Sequence, residues 1–370
     1  MKILEVNKLY YPHIGGIESL VKQYSEGLSA IPSNDVRVLV CRDGKGKGSI
    51  ENVGGVEVTR ANSMGTYFSC PLSFDFIRKF KRMAAESDVV EIHTPFPLGD
   101  VALLLSGYKG KVVVAWHSDV VKQKKLMFFY KPFMNHLLKR ADRIIVATEG
   151  HINGSSYLPP YRSKCVVIPY GLDISEYDNA PRTSVLKAND PSAVKVFFSG
   201  RLVYYKGVDV LLKAFKEVKG AELFISGAGT MEAELKQYVS DNSMSSRVHF
   251  LGFLSNEDLK SAFSECDIFV LPSVQKSEAF GIVQLEAMVY GKPVINTSLP
   301  SGAPFVSLDK VTGLTVPPSD IFALCNAIQQ LVDSPELRAT YGAAARERVL
   351  NDFNEKDVIV KLDSLLKSLI

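Results

Sequence analysis

Cysteine is sparse in this 370-residue chain and has no pattern. Cys41, Cys70, Cys165, Cys266 and Cys325 are scattered, odd in number and never spaced C-x-x-C. That excludes a disulfide framework and a cysteine zinc site, and it fits a reducing cytoplasm. Long apolar runs are missing too. The longest, such as Val112–Trp116 and Asp267–Leu271, are strand-sized, far below the ~18 residues of a membrane span. The start, Met1-Lys2-Ile3-Leu4-Glu5-Val6-Asn7, carries charge inside its apolar stretch, so no signal peptide is expected. Short repeats and low-complexity tracts are absent.

What remains is the balance of a globular protein, with 46% hydrophobic and 22% charged residues. Disordered and fibrous chains are excluded, and at ~150 residues per domain the length predicts two or three domains. The net charge of +3 hides an asymmetry. Residues 1–170 carry 23 Lys+Arg against 15 Asp+Glu, while residues 171–370 carry 20 against 25. A basic front half suits an anionic partner: nucleic acid, a phosphorylated substrate or an acidic membrane face. Chance asymmetry explains it equally well, and nothing else in the chain supports nucleic acid.

Short apolar strands alternate with helical periodicities. Strands are expected at Lys2–Asn7, Val36–Cys41, Val56–Arg60, Val89–His93, Lys111–His117, Arg143–Thr148 and Cys165–Ile168. Helices are expected at Glu18–Ala30, Phe74–Ala85 and Leu126–Arg140. The alternation pauses at Pro169–Asp173 and a polar stretch to Ser192, then restarts at Val194–Ser199. Further strands are expected at Glu222–Ser226, Val248–Leu251, Ile268–Leu271, Pro293–Asn296 and Leu314–Val316. This is the pattern of crossover units around parallel sheets, in two α/β domains. Ligands of such domains bind at the carboxyl ends of the strands.

Four strand-end loops carry candidate chemistry. Gly15-Gly16 lets the backbone approach a ligand before a helix N-terminus that favours an anion, although most strand-to-helix turns use glycine only for geometry. Arg201 and Lys206, in Ser199–Gly207, form a possible clamp for a diphosphate, a fork beside a point charge; as a pair alone, two solvated loop cations explain them better. Gly227-Ala228-Gly229 resembles a dinucleotide fingerprint, but Glu232 stands at the third small position and Val248–Leu251 ends without an acidic ribose partner. It reads as a nucleotide-edge loop, not a nicotinamide site. The fourth loop, Ser277–Met288, places Glu278 just before a helix expected to begin near Gly281 and stop at Gly291, with Glu286 one turn inside. The amides of Gly281, Ile282 and Val283 would meet a phosphate, and the two carboxylates would take hydroxyls on either side. Sugar–diphosphate–ribose has that layout, although glutamates eight apart are common on solvated helices.

These segments resemble the retaining glycosyltransferases of family 4. The E-x7-E signature matches Glu278 and Glu286 within S-E-A-F-G-I-V-Q-L-E-A-M. The resemblance runs nearly end to end, through P-x-x-G-G-I-E at Pro12–Glu18, A-D-R-I-I-V at Ala141–Val146 and V-I-P-Y-G-L-D at Val167–Asp173. It continues in G-R-L-x-x-x-K-G at Gly200–Gly207, G-A-G-x-M-E at Gly227–Glu232 and G-K-P-V-I at Gly291–Ile295. It implies the α/β GT-B fold, two Rossmann-like domains with parallel sheets facing a central cleft. An acceptor-side domain would span 1–170 and a donor-binding domain 171–354, with a helix near 355–370 packing back on the first. Glu278 would contact donor-sugar hydroxyls and Glu286 the ribose. Arg201 and Lys206 would hold the diphosphate, with Gly15, Gly16 and the Phe280-Gly281-Ile282-Val283 turn completing the donor site. His117 matches a histidine beside the donor sugar, although a lone histidine is more often structural.

No D-x-D triplet occurs anywhere in the chain, so cationic side chains and helix ends would replace a metal. The expectation is therefore no metal and no cofactor beyond a nucleotide-sugar donor. No nucleophile stands out in the motifs, and the family implies same-face attack with the leaving phosphate taking the acceptor's proton. Trp116–Lys125, Tyr204–Gly207 and Ser301–Phe305 resemble a subgroup of bacterial O-antigen mannosyltransferases. That implies GDP-mannose as donor, with a UDP-hexose as rival, and a glycan or lipid-linked acceptor. Two departures stand out from the wider family: Phe305 at an acidic position and Tyr170 in place of Asn. Between Lys122 and Arg143 seven Lys or Arg accompany one acid, Asp142, among Leu126, Met127, Phe128, Phe129, Phe133, Met134, Leu137 and Leu138. With Arg78, Lys79, Lys81 and Arg82 they suit docking to anionic lipid on the inner membrane face; the alternative is a buried aromatic core with solvated lysines. A nucleotide-sugar epimerase and a catalytically silent donor-binding subunit are the rival classes. The first would form product without an acceptor, and the intact Glu278, Glu286, Arg201 and Lys206 set argues against the second.

Overall fold

The computed structural model describes all residues except 14, 68–69, 120–123 and 178–183, and side chains except those at 124–127 and 129. The chain divides into two compact units, Met1–Tyr170 with Lys356–Ile370, and Gly171–Glu355.

In the first unit the strands are β1 (Lys2–Val6), β2 (Asp35–Cys41), β3 (Ser49–Val53), β4 (Val56–Ala61), β5 (Thr66–Tyr67), β6 (Cys70–Pro71), β7 (Val89–Thr94), β8 (Lys111–Trp116), β9 (Arg143–Val146) and β10 (Cys165–Val167). Eight of them form one sheet in the order β10-β9-β8-β7-β1-β2-β4-β3, and β5 and β6 make a separate hairpin. Every pair in the large sheet is parallel except β3 with β4. Helices α1 (Gly16–Ser29), α2 (Phe74–Ala85), α3 (Pro97–Ser106), α4 (Lys124–Arg140) and α5 (Glu149–Gly154) connect the strands. The central strands are apolar on both faces because both faces are covered. Leu4, Val6 and Leu39 pack with Phe76 and Phe80 of α2 on one side. Ile3, Val36 and Val38 pack with Leu20 and Tyr24 of α1 on the other, together with Val358, Leu362 and Leu366 from the end of the chain.

The second unit has the sheet β13-β12-β11-β14-β15-β16, parallel throughout. Its strands are β11 (Val194–Ser199), β12 (Ala221–Ser226), β13 (Val248–Gly252), β14 (Ile268–Val270), β15 (Val294–Thr297) and β16 (Gly313–Val316). Helices α6 (Val208–Phe215), α7 (Glu232–Asp241), α8 (Asn256–Glu265), α9 (Val283–Val289), α10 (Ala303–Val306), α11 (Ile321–Asp333) and α12 (Pro335–Asp352) surround it, and α13 (Glu355–Lys367) returns to the first unit.

Each strand expected from the sequence has a counterpart. The strands not foreseen are β3, β5 and β6. Strand β3 is exposed along almost its whole length, so it lacks the apolar signal that marks its neighbours. No helix among the described residues is long and apolar enough to cross a membrane.

Candidate active site

The carboxyl ends of β11, β12 and β14 lie side by side, and glycines let their loops touch. After β11 the chain passes Gly200 and Arg201, makes a short turn at Tyr204–Lys206, and reaches Gly207 at φ +67°. A Cβ at Gly207 would lie 2.1 Å from the Pro272 carbonyl oxygen, so only glycine fits the left-handed backbone this close to the β14 loop. The approach is fixed by Val274 N–H donating to the Tyr205 carbonyl at 2.8 Å. It delivers Lys206 Nζ to within 2.6 Å of Glu278 Oε2. Ser273 Oγ donates to the same carboxylate oxygen at 2.8 Å. The Lys206 and Glu278 side chains are only 12% and 9% exposed, so each needs the other. Glu278 Oε1 takes no partner among the described residues, and the ammonium keeps two further protons to donate.

Arg201 is exposed, and its guanidinium donates to the Tyr205 hydroxyl at 2.8 Å. The two cations stand 6.0 Å (Arg201) and 5.8 Å (Lys206) from the Tyr205 ring centroid. Tyr205, inside the Tyr204–Gly207 segment that carries the subgroup resemblance, thus stands beside both cations. The Gly227-Ala228-Gly229 loop also gains a structural reason. A Cβ on Gly227 would fall 2.0 Å from the Gly200 carbonyl oxygen, and one on Gly229 2.2 Å from that of Leu202. These glycines are required by the approach of two strand-end loops.

The helix expected from Gly281 to Gly291 is shorter, Val283–Val289. Gly281 stays outside it at φ +73°, where a Cβ would meet Leu271 Cδ2 at 2.6 Å. Ile282 and Val283 therefore hold the first amides of the helix, the groups left without intrahelical acceptors. Phe280 is buried, edge-on to Phe353 at 6.1 Å, so its ring packs in the core. Glu286 lies in the first turn of α9 and accepts from the Tyr177 hydroxyl at 3.1 Å. Burial pushes its carboxyl up to about 7, the Tyr177 hydrogen bond acting in the opposite direction. Tyr177 sits in the polar stretch after the first unit, where no motif marked it.

In the first unit, Gly15 precedes α1 and faces its own helix: a Cβ there would lie 2.2 Å from Glu18 Oε2. Space is open above Gly16, where a Cβ would meet nothing within 4 Å. His117 follows β8 and is buried. Nδ1 lies 2.7 Å from the Tyr170 hydroxyl and Nε2 lies 3.0 Å from His93 Nδ1. Burial first, then the neighbouring His93, holds its pKa well below the usual histidine value. It is a neutral imidazole.

Residues 14–176 match the family pattern described as Glycosyltransferase Family 4, and residues 186–348 that of Glycosyl transferases group 1. The O-antigen chain mannosyltransferase C of Escherichia coli is 31% identical, aligning with 100% of this chain and 99% of its own length. This chain is a family 4 glycosyltransferase. The D-rhamnosyltransferase WbpZ of Pseudomonas aeruginosa is 33% identical over 94% of the chain and 91% of the relative. Among solved structures, sucrose-phosphate synthase from Thermosynechococcus elongatus superposes with a TM-score of 0.81 at 23% identity, covering 100% of this chain and 98% of that one. The glycosyltransferase thus has the GT-B fold of two Rossmann-like domains with parallel sheets.

Both departures from the wider family have structural partners. Phe305 is edge-on to Phe353 at 6.3 Å, and the Arg348 guanidinium stands 5.1 Å from the Phe305 ring centroid. Tyr170 is the hydroxyl bonded to His117. On α4 the alternatives for the basic amphipathic segment divide by residue. Met134, Leu137 and Leu138 are core, whereas Phe128 is 79% exposed. Lys122 and the side chains of Lys124, Lys125, Leu126, Met127 and Phe129 lie outside the described residues.

Proposed function

We propose that this glycosyltransferase is a retaining, metal-independent α-mannosyltransferase. It takes mannose from GDP-mannose and extends a lipid-linked glycan during synthesis of a bacterial O-antigen. The observation that carries the reading is the Lys206–Glu278–Ser273 cluster beside Arg201. It offers a sugar-binding carboxylate and diphosphate-binding cations at one sheet end. In the transfer, the anomeric C–O bond to the diphosphate breaks and the acceptor oxygen bonds to the same face of the sugar. The acceptor's proton passes to the leaving phosphate oxygen. Arg201 and Lys206 would neutralise charge as it builds on that phosphate, and a preorganised cation is worth most where charge develops. Glu286 would take the ribose hydroxyls. The choice of mannose is supported by the name of the E. coli relative and by the subgroup motifs. The rhamnosyltransferase relative keeps a deoxyhexose donor in view.

Docking on anionic lipid is supported by exposed Phe74 (72%) on α2, which also carries exposed Arg78, Lys81 and Arg82, and by exposed Phe128 (79%) on α4, which carries exposed Lys131 and Lys139. Apolar side chains with a basic surround bind acidic membrane faces. The test is turnover of GDP-mannose, UDP-glucose and a GDP-deoxyhexose against lipid-linked acceptor on anionic and neutral liposomes. The reading expects acceptor-dependent GDP release from GDP-mannose, an α-linked product, and recovery with anionic vesicles only. Release from UDP-glucose alone would overturn the donor; a new sugar nucleotide formed without acceptor would make the protein an epimerase. Equal recovery on neutral vesicles would remove electrostatic docking.

A further inference from the structure

Glu286 lies in the first turn of α9, half-buried, and among the described residues its carboxylate has one hydrogen-bond partner, the Tyr177 hydroxyl. That partner comes from 109 residues away, yet both belong to the unit Gly171–Glu355. Tyr177 ends a short turn of 3-10 helix, Ile174–Tyr177, and its ring is held from two sides. Tyr290, one helical turn beyond Glu286, stands edge-on to it at 5.7 Å. The Lys260 ammonium, on α8, lies 5.1 Å from its centroid, a cation–π contact. Lys260 is tied in turn to Glu176, the residue before Tyr177, at 3.2 Å. These contacts place the ring without calling on its hydroxyl, which is spent on Glu286 Oε1.

A carboxylate presents two oxygens. With Oε1 bonded to Tyr177, Oε2 is the one without a partner among the described residues, and the phenol fixes the torsion that aims it. The bond also selects a charge state. A hydroxyl that donates to Oε1 stabilises the carboxylate over the acid and so opposes burial. The other titratable groups around α9 are Lys260 and Glu257 of α8, Glu176 beside Tyr177, Tyr290 and Lys292 at the end of the helix, and Arg346 of α12, whose guanidinium donates to the Val289 carbonyl at 3.0 Å. Strand β15 carries no titratable side chain. Lys260 favours the carboxylate and Glu176 the acid, each by less than Tyr177.

We propose that Tyr177 is a positioning residue for Glu286: its hydroxyl, bonded to Oε1, turns the carboxylate so that Oε2 accepts the ribose diol of a nucleoside diphosphate. The inference deepens the donor-binding reading and rests on it for the ribose. The Tyr177–Glu286 bond itself does not depend on that reading, and because GDP and UDP share the ribose, the choice of base does not enter.

The experiment compares full-length wild type, Tyr177→Phe, Tyr290→Phe and Glu286→Gln. Carboxyl 13C NMR of glutamate-labelled protein follows the titration of Glu286, identified by its absence in Glu286→Gln. Calorimetry measures the binding of GDP, UDP and their 2′,3′-dideoxy forms at pH 7. Tyr177→Phe keeps both ring contacts and loses only the hydroxyl, so the fold is expected to persist. Its Glu286 midpoint is expected at higher pH than in the wild type. Its affinity for GDP or UDP is expected to be about 3–10-fold weaker, the weight of one net hydrogen bond. The dideoxy nucleotides offer Glu286 no hydroxyl and are expected to bind wild type and Tyr177→Phe alike. Tyr290→Phe removes a hydroxyl that is buried without a partner and is expected to match the wild type in both readouts. An unmoved midpoint or an unchanged affinity in Tyr177→Phe overturns the inference. So does an equal loss for dideoxy and ordinary nucleotides, the mark of a merely structural tyrosine, or an equal midpoint shift in Tyr290→Phe. A midpoint that moves in a protein that binds neither nucleotide, or binds them as well in Glu286→Gln, would refute the ribose reading of Glu286 alone.

Discussion

Lys206→Ala strips the partner from a carboxylate that the fold has largely removed from water. The pair is short, 2.6 Å, and both side chains are close to nine-tenths buried. Removing one member of a fully buried pair costs about 3–5 kcal/mol, chiefly because the other charge is stranded. Ser273 still donates to Glu278 Oε2, which places the expected loss at the lower end, ~3 kcal/mol. For a unit the size of Gly171–Glu355, each kcal/mol moves the melting temperature by about 2–4 °C. Lys206→Ala is therefore expected to melt ~6–12 °C lower. Adding Glu278→Gln removes the stranded charge, so the double variant is expected to regain most of that loss, the signature of direct coupling. Glu278→Gln alone strands a lysine whose flexible stem can reach water, and is expected to cost less. Calorimetry of the four proteins makes the cycle. A Lys206→Ala protein that melts like the wild type, or a double variant no more stable than it, would refute the reasoning. Turnover of Lys206→Ala is expected to fall about 10²–10³-fold, as for loss of one preorganised donor to developing charge.

Nucleotide affinity is expected to strengthen as pH rises through about 7, where Glu286 ionises, since the carboxylate accepts ribose hydroxyls that the acid accepts poorly. Calorimetric titration with GDP should lose that dependence in Glu286→Gln, and an identical pH profile in the variant would remove the ribose role. Burial raises Glu5 and Glu91 to about 8. The folded state then holds protons the unfolded chain has released, so this stability is complete below the unfolded carboxyl pKa and is lost as pH rises through about 8. Buried His93 and His117 have lowered pKa values and act oppositely below the ordinary histidine pKa, and Glu286 and Asp100 are raised only to about 7, which leaves pH 7 to 8 as the clean window. There, denaturant melts should show stability falling by up to ~1.4 kcal/mol per pH unit for each raised carboxyl, with a shallower fall in Glu91→Gln; equal slopes would count against it. Gly207→Ala forces a Cβ against the Pro272 carbonyl at positive φ. It should cost at least ~1–3 kcal/mol in a urea melt and lower turnover by displacing Lys206; an unperturbed enzyme would count against that loop geometry.

The sheet strands were legible because strands covered on both faces read as apolar runs. Strand β3 was not, because its residues face water. The E-x7-E spacing singles out Glu278 and Glu286, and loop motifs single out Arg201 and Lys206; of these the structure brings Lys206 and Glu278 into contact. What local sequence does not carry is pairing at a distance. Glu5 reads as a charge that spoils an apolar stretch, yet it meets His93 88 residues away across a parallel ladder. Tyr177 carries no motif, and the motif around Tyr205 does not show what its hydroxyl bonds; they matter through the Glu286 and Arg201 groups they bond. Phe280 sits inside a recognised motif and is core nonetheless. The glycines of Gly227–Gly229 look like a ligand loop and are needed for contact with the Gly200 and Leu202 carbonyls.

The most direct test of the donor assignment is thermal stabilisation of the full chain by GDP, UDP, ADP, GDP-mannose, UDP-glucose and NAD, first without added metal and then with EDTA. A ligand that binds only the folded state raises the melting temperature by mass action. The account predicts a selective shift with GDP and GDP-mannose that EDTA leaves intact, and its loss in Glu286→Ala. A shift abolished by EDTA would contradict metal-independent diphosphate binding, and a UDP-selective shift would contradict the GDP-mannose assignment.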